Sequence, residues 1–68
     1  MKLSLFTSGC EQLRIEDGKY YITNSYEVFS QVDKELFKRE LEKYDWALNS
    51  WDKEVREEYK TLVEAVKN

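Results

Sequence analysis

The feature that most constrains this chain is the regular spacing of apolar residues along its C-terminal half. From Phe37 to Val66 an apolar side chain recurs every three or four positions, as on one face of an α-helix, and no glycine or proline interrupts the segment. The spacing predicts helix and predicts that these side chains are buried together. The face consists of Phe37, Leu41, Tyr44, Leu48, Trp51, Val55, Tyr59, Leu62 and Val66.

The same segment contains one point at which a helix could end. Asn49 and Ser50 both favour caps and turns over helix interiors. An unbroken helix over residues 31–67 would be about 55 Å long, whereas strands of five residues span only about 17 Å. Its overhanging end would need a second chain to cover it. We therefore predict two helices, the second capped by Asn49 with Asp52 and beginning near Trp51; one long helix is the alternative.

The N-terminal part carries the signals of an antiparallel hairpin. Asp17-Gly18 is a favoured pair for a two-residue type I′ turn, in which both residues need a positive φ. Alternating apolar residues predict a further strand over residues 2–6, joined to the hairpin by Thr7-Ser8-Gly9. With a tight turn, four apolar side chains would share one face of the hairpin: Leu13, Ile15, Tyr20 and Ile22.

The boundary between strands and helices is predicted near Ser30. Ser30 followed three residues later by Asp33 has the form of a capping box, which marks the start of a helix. Asn24 is a weaker candidate for the same role. Residues 26–29 fit either a fourth strand, after a turn at residues 24–25, or the first turn of the helix.

These patterns together predict one small α+β domain. It spans residues 1–68 and is β-rich over 1–29 and helical over 30–68. An antiparallel β-meander or hairpin at the N-terminus would pack on one long amphipathic helix or on a two-helix hairpin, because each element must cover its apolar face.

The residue types present exclude most kinds of catalytic site. Histidine is absent and Cys10 is the single cysteine, so a histidine-activated nucleophile, an internal disulfide and a zinc site are not expected. Neither a nucleophile elbow nor a phosphate-binding glycine loop occurs. We predict a protein that is not an enzyme and that holds no metal or other cofactor. The lack of a long apolar run predicts a cytoplasmic protein.

Charge is abundant but nearly balanced, with 14 acidic and 11 basic residues and a net charge of −3. This balance disfavours direct binding to nucleic acid and to anionic membranes, because both attract basic surfaces. The bases between Lys34 and Lys43 are the strongest exception, but acids such as Glu35 and Glu40 alternate with them. The Lys34–Lys43 face therefore supports only an alternative, an antitoxin or weak nucleic-acid binder.

Aromatic residues make up 15% of the chain, which is more than so small a core needs. Consecutive Tyr20 and Tyr21 must lie on opposite faces of their strand. Trp51 lies on the helical face and is predicted to pack in the core, whereas Trp46 lies off it and is predicted at an edge. Aromatic anchors with acidic neighbours are typical of protein interfaces. The predicted partner-binding residues are Trp46, Tyr20, Tyr21, Asp45, Asp52, Glu57 and Glu58.

We therefore predict a non-enzymatic protein-binding module. In size and composition alone the chain resembles small inhibitors of phages and mobile elements, anti-CRISPR proteins included, which implies docking on a larger enzyme or nucleoprotein complex. One alternative is a coiled-coil homodimer or structural assembly subunit. The expected partner is a protein; membrane binding is not expected, and homodimerisation is left open.

Overall fold

A computed structural model describes residues 1–23 and 28–67 and shows a four-stranded antiparallel sheet followed by two helices. The strand order in the sheet is β1-β2-β3-β4, a meander, so the α+β prediction is confirmed. The elements are β1 (Lys2–Thr7), β2 (Cys10–Glu16), β3 (Lys19–Thr23), β4 (Phe29–Val32), α1 (Lys34–Glu42), a 3₁₀ helix (Asp45–Asn49) and α2 (Lys53–Ala65).

The predicted hairpin turn is confirmed. Asp17 and Gly18 have φ values of 52° and 79°, and Glu16 pairs with Lys19 across the turn. The two positive φ values are those of a type I′ turn, whose twist matches that of the flanking strands. A second turn of the same kind joins β1 to β2, where Ser8 and Gly9 have φ values of 53° and 80°.

We expect Gly18→Val to lower the free energy of unfolding by about 1–3 kcal/mol, because a β-branched residue resists a positive φ. A side chain at Gly18 would meet no other atom within 4 Å, so the cost is conformational and not steric. Thermal unfolding of the variant measures it. The matched control is Gly18→Asn, since asparagine tolerates this backbone region. Equal losses for both substitutions would contradict this explanation.

A β-bulge at Gln12 changes which residues share a face of the sheet. Leu5 pairs with Leu13, but Phe6 pairs with Glu11, so Gln12 is an extra residue in β2. Gln12 accepts a 3.4 Å hydrogen bond from the Tyr44 hydroxyl, on the helical side of the sheet. Glu11 is thereby shifted to the outer face, which no helix covers in the described part of the chain.

The predicted start of the first helix is wrong, because the helix is capped by Asp33 and not by Ser30. Ser30 belongs to β4 and pairs with Ile22, while Asp33 is the N-cap, its side chain accepting a 2.8 Å hydrogen bond from the Leu36 amide. Pairing with β3 satisfies the backbone of β4, which prevents Ser30 from capping a helix. The division between β-rich and helical parts therefore lies after Val32, not after residue 29.

A fourth strand exists and spans Phe29–Val32. Residues 26 and 27, where one alternative placed its start, lie outside the described residues. The turn predicted at Asn24-Ser25 and the helix start predicted at Asn24 fall outside the described residues.

The core lies between one face of the sheet and the two helices. Helix α2 packs mainly on β1 and on the 3₁₀ helix, and α1 packs on β3. Phe37 is fully buried at the centre, with its ring centroid 5.3 Å from that of Tyr20. The buried apolar residues are Leu5, Leu13, Phe37, Leu41, Ala47, Tyr59, Leu62 and Val66.

The prediction of two helices is confirmed, and one long helix is excluded by the 3₁₀ helix between them. The cap of α2 differs from the predicted one, because Asp52 alone caps the helix, accepting a 2.9 Å hydrogen bond from the Glu54 amide. Asn49 is instead the last residue of the 3₁₀ helix. None of the helices in the described residues is both long enough and apolar enough to cross a bilayer.

Candidate protein-binding surface

The connection between the helices, Tyr44–Trp51, exposes three large apolar side chains. Trp46 is 50% exposed, Leu48 48% and Trp51 98%. The prediction that Trp51 packs in the core is therefore wrong, and so is the prediction that Leu48 is buried. Exposed apolar side chains concentrated in one short segment are typical of interaction sites.

The 3₁₀ geometry explains why the side chains of Trp46 and Leu48 face outward. Ala47 donates a 2.9 Å hydrogen bond to the Tyr44 carbonyl, and Ser50 donates one of 3.1 Å to the Ala47 carbonyl. A 3₁₀ helix has about three residues per turn, so neighbours of an inward residue diverge by about 120° on either side. Ala47 is fully buried, which turns Trp46 and Leu48 toward solvent.

The backbone on both sides of Trp51 is held by hydrogen bonds. The Ser50 carbonyl accepts one of 2.5 Å from Nη1 of Arg56, and the Ser50 hydroxyl oxygen accepts one of 3.1 Å from the Asp52 amide. Asp52 in turn caps α2 through the Glu54 amide. Trp51 is thus an almost fully exposed indole on a fixed backbone, and binding would cost little backbone entropy.

Trp46 stands beside a partly buried aromatic ring. Its ring centroid lies 6.3 Å from that of Tyr44, at an interplanar angle of 50°. Burial raises the pKa of the Tyr44 hydroxyl, and nearby Glu40 raises it further. The hydroxyl donates a 3.4 Å hydrogen bond to Oε1 of Gln12, which holds the ring in place. The Tyr44 ring therefore gives Trp46 a fixed apolar neighbour.

Leu48 opens into a groove along α2. The groove has a volume of about 410 Å³ and an apolar floor of Leu48, Tyr59 and Val63. A neighbouring groove of about 310 Å³ shares Tyr59 and Val63 and extends past Leu41. The two grooves adjoin along α2, and charged side chains line them as well as apolar ones. Each is of a size in which a partner's side chains could be buried.

Asp45 lies on the same connection as Trp46. Burial raises the pKa of the Tyr59 hydroxyl, and the charges of Asp45 and Glu42 raise it further.

The structure separates the two predicted tyrosine anchors. Tyr20 lies on the helical side of the sheet and contacts Phe37, whereas Tyr21 lies on the outer face and pairs with Arg14 and Gln31. Neither lies on the connection that carries Trp46 and Trp51.

The predicted acids already make contacts within the chain. Asp52 caps α2, and Glu57 forms a 3.6 Å ion pair with Lys60. Glu58 accepts a 2.9 Å hydrogen bond from the backbone amide of Phe6 in β1. Glu57 and Glu58 therefore lie along the edge of the sheet, apart from the tryptophans.

The outer sheet face carries a partly buried ion pair. Arg14 donates to Glu11 from Nε at 2.9 Å and from Nη2 at 2.8 Å, and the Ser4 hydroxyl donates to Glu11 at 2.5 Å. These bonds, foremost those from Arg14, lower the pKa of Glu11 to about 2. Arg14 also lies 4.0 Å from the ring centroid of Phe29, a cation–π contact. We interpret this network as structural, since each group is satisfied within the chain.

The basic face of α1 is partly neutralised. Lys43, which follows α1, forms a 2.9 Å ion pair with Glu40. Among the described residues, no three acidic or cysteine side chains are grouped as a metal site would require. Cys10 is exposed at the start of β2.

Comparison with known proteins gives no relative from which a function could be transferred. No protein-family model matches the chain, and neither a curated protein nor a solved structure is significantly similar to it.

Proposed function

We propose that this protein is a non-enzymatic binding module that docks on a partner protein through the connection Tyr44–Trp51. The observation that carries the proposal is Trp51, which is 98% exposed although its backbone is held on both sides. A tryptophan left in water contributes nothing to a core, whereas buried at an interface it is the residue type most enriched in hot spots.

The surroundings of Trp51 support docking on a folded surface. Trp46 and Leu48 are each about half exposed, and a groove along α2 opens beside Leu48. Such a surface can offer a central anchor, secondary apolar contacts and a charged rim, which is the usual anatomy of a protein interface.

The more specific form of the proposal is an inhibitor of the phage or mobile-element type, anti-CRISPR-like, that blocks a larger enzyme or nucleoprotein complex. Small size and a rigid, aromatic docking surface suit a protein that acts by occupying another protein's surface. The net charge of −3 would favour approach to a basic surface such as a nucleic-acid channel.

Capture of a partner by tagged protein, followed by kinetic binding of the purified pair, tests the proposal. We expect Trp51→Ala to weaken binding by about 2 kcal/mol or more, roughly 30-fold, while the thermal midpoint stays unchanged. The matched control is Val28→Ala, which shortens another exposed apolar side chain outside the connection.

Three results discriminate between the classes of function. A partner bound equally well by Trp51→Ala, Trp46→Ala and the unchanged protein would contradict the proposal. Sedimentation that reveals a dimer lost on Trp51→Ala would show that the connection joins two copies, as a structural subunit requires. Nuclease-sensitive RNA or DNA in place of a protein partner would favour the Lys34–Lys43 alternative.

A further inference from the structure

β1 lies at one edge of the sheet, so within residues 1–23 and 28–67 one of its two rows of backbone N–H and C=O groups has no neighbouring strand. The Phe6 N–H belongs to this outer row, since it donates to Oε1 of Glu58 at 2.9 Å. The backbone N–H and C=O groups of successive residues in a strand point alternately to its two sides. The groups of Lys2 and Ser4 therefore point away from β2, as the Phe6 N–H does. These positions offer a template on which an extended segment could pair.

Helix α2 runs beside this edge and leaves two clefts. The first, of about 410 Å³, lies between Lys2, Ser4 and Thr61, and the second, of about 450 Å³, lies between Ser8 and Val55. Phe6 and Glu58 line both clefts, so their hydrogen bond stands between them. An edge strand with a helix alongside it is the arrangement in which peptide-binding domains accept an added strand.

The charges along the clefts indicate what kind of segment could bind there. Four carboxylates line them but only one amine, that of Lys2. A second copy of this chain would bring the same excess of acids to the same edge, and like charges across a strand pair are destabilising. A segment carrying lysine or arginine would instead be attracted. The four carboxylates are Asp52, Glu54, Glu57 and Glu58.

We propose that the β1 edge binds an extended, basic segment of another protein by strand addition. A backbone carbonyl of the segment replaces Glu58 as the acceptor of the Phe6 N–H. The released Glu58 carboxylate pairs with a lysine or arginine of the segment, so no charge or donor is left unpaired. Apolar side chains of the segment cover Phe6, which is 40% exposed. This inference does not rest on the proposed function, because none of these residues lies on the connection.

Three fluorescein-labelled octapeptides test this inference. The first alternates lysine and valine, the second has glutamate in place of lysine, and the third is the lysine peptide with every backbone amide methylated. We expect saturable binding of the first peptide, with amide NMR shifts at Lys2, Ser4 and Phe6, and no binding of the second. The third should bind at least tenfold more weakly, because it cannot donate backbone hydrogen bonds.

Two variants separate recognition from general attraction. Glu57→Gln should weaken binding of the lysine peptide at least threefold, and this glutamate makes no bond to β1 whose loss could unfold the sheet. The matched control, Glu64→Gln, removes an acid from α2 that lines the Leu48 groove and should bind as the unchanged protein does. Trp51→Ala should also leave peptide binding unchanged, so failure here and failure of the proposed function are distinguishable.

Several outcomes would overturn the inference. Equal binding of the methylated peptide would show attraction without strand pairing. Amide shifts centred on Trp46 and Trp51 would place the peptide on the connection instead. A dimer at micromolar concentration in which the amides of Lys2 and Ser4 are protected from hydrogen exchange would assign this edge to a second copy.

Discussion

Replacing Phe37 by alanine should lower the free energy of unfolding by about 3–5 kcal/mol, the usual cost of deleting a buried aromatic side chain. Phe37 is fully buried, on α1, and its ring meets that of Tyr20 across the interface between helix and sheet. Because domains of this size are only marginally stable, with at most about 5–15 kcal/mol in all, much of the variant should be unfolded at 37 °C. Urea titration followed by circular dichroism measures the loss.

The control for this prediction is Leu48→Ala, an aliphatic truncation on the same predicted helical face. Leu48 is half exposed, and its truncation should cost about 1 kcal/mol or less, far below the cost for an enclosed leucine. A loss at Leu48 as large as that at Phe37 would show that the connection is packed against the core, and would contradict the surface described above.

The parts of the fold that sequence reasoning predicted correctly are those set by short-range rules. Asp17-Gly18 predicts the turn because few residue pairs accept two positive φ values, and the turn then fixes the pairing of Ile15 with Tyr20. The period of the apolar residues within α1 and α2 likewise predicts that Phe37 and Leu62 are buried. Each of these inferences needs only neighbouring residues.

The parts that were missed depend on competition between local and distant contacts. The apolar spacing runs through residues 44–51 without a slip, yet the chain there forms a 3₁₀ helix. Burial of the small Ala47 and capping by Asp52 stabilise that alternative, and Trp51, which lies between the 3₁₀ helix and α2, belongs to no helical face and is exposed. The signal present in the sequence was Asp52, since a helix capped there cannot include Trp51.

The bounds of β4 and the bulge at Gln12 were missed for a related reason. Ser30 fits a helix cap locally, but pairing with Ile22 satisfies its backbone better. The bulge appears only when β1 and β2 are placed side by side, and it determines which face carries Glu11. Alternation along β2 alone would place Glu11 on the face of Leu13 and Ile15, so the ion pair with Arg14 could not be predicted.

For the candidate surfaces too, some features follow from neighbouring residues and others from distant contacts. Exposure of Trp46 agrees with its place off the helical face, but three of the four acids predicted with it make other contacts: Asp52, Glu57 and Glu58. Asp52 holds the helix that displays Trp51, and Glu58 occupies the edge of β1. Residue type therefore suggested candidate residues, whereas their distribution between the connection and the β1 edge required the three-dimensional arrangement.

Between pH 5 and pH 2 the protein should lose stability chiefly through Glu11. Its pKa is lowered from 4.5 to about 2, foremost by the hydrogen bonds from Arg14. A carboxyl whose pKa is lower in the folded state stabilises the fold fully above pH 4.5. That contribution is lost as the pH falls toward 2, because the unfolded chain takes up the proton first.

The side chain of Glu11 is only 13% exposed, and that of Arg14 23%. Allowing for solvent access to Arg14, we expect a contribution of about 1–3 kcal/mol.

Urea titrations of Glu11→Gln between pH 7 and pH 2 test this attribution. The variant should be less stable than the unchanged protein at pH 7, and its stability should depend much less on pH below 5, since no proton is then taken up at this position. The matched control is Glu16→Gln, because Glu16 is also near Arg14 but is 41% exposed and 3.8 Å away. If Glu11→Gln loses as much stability on acidification as the unchanged protein does, other carboxyls carry the pH dependence. The bidentate pair between Glu11 and Arg14 on the outer sheet face would then contribute little to the stability of the fold.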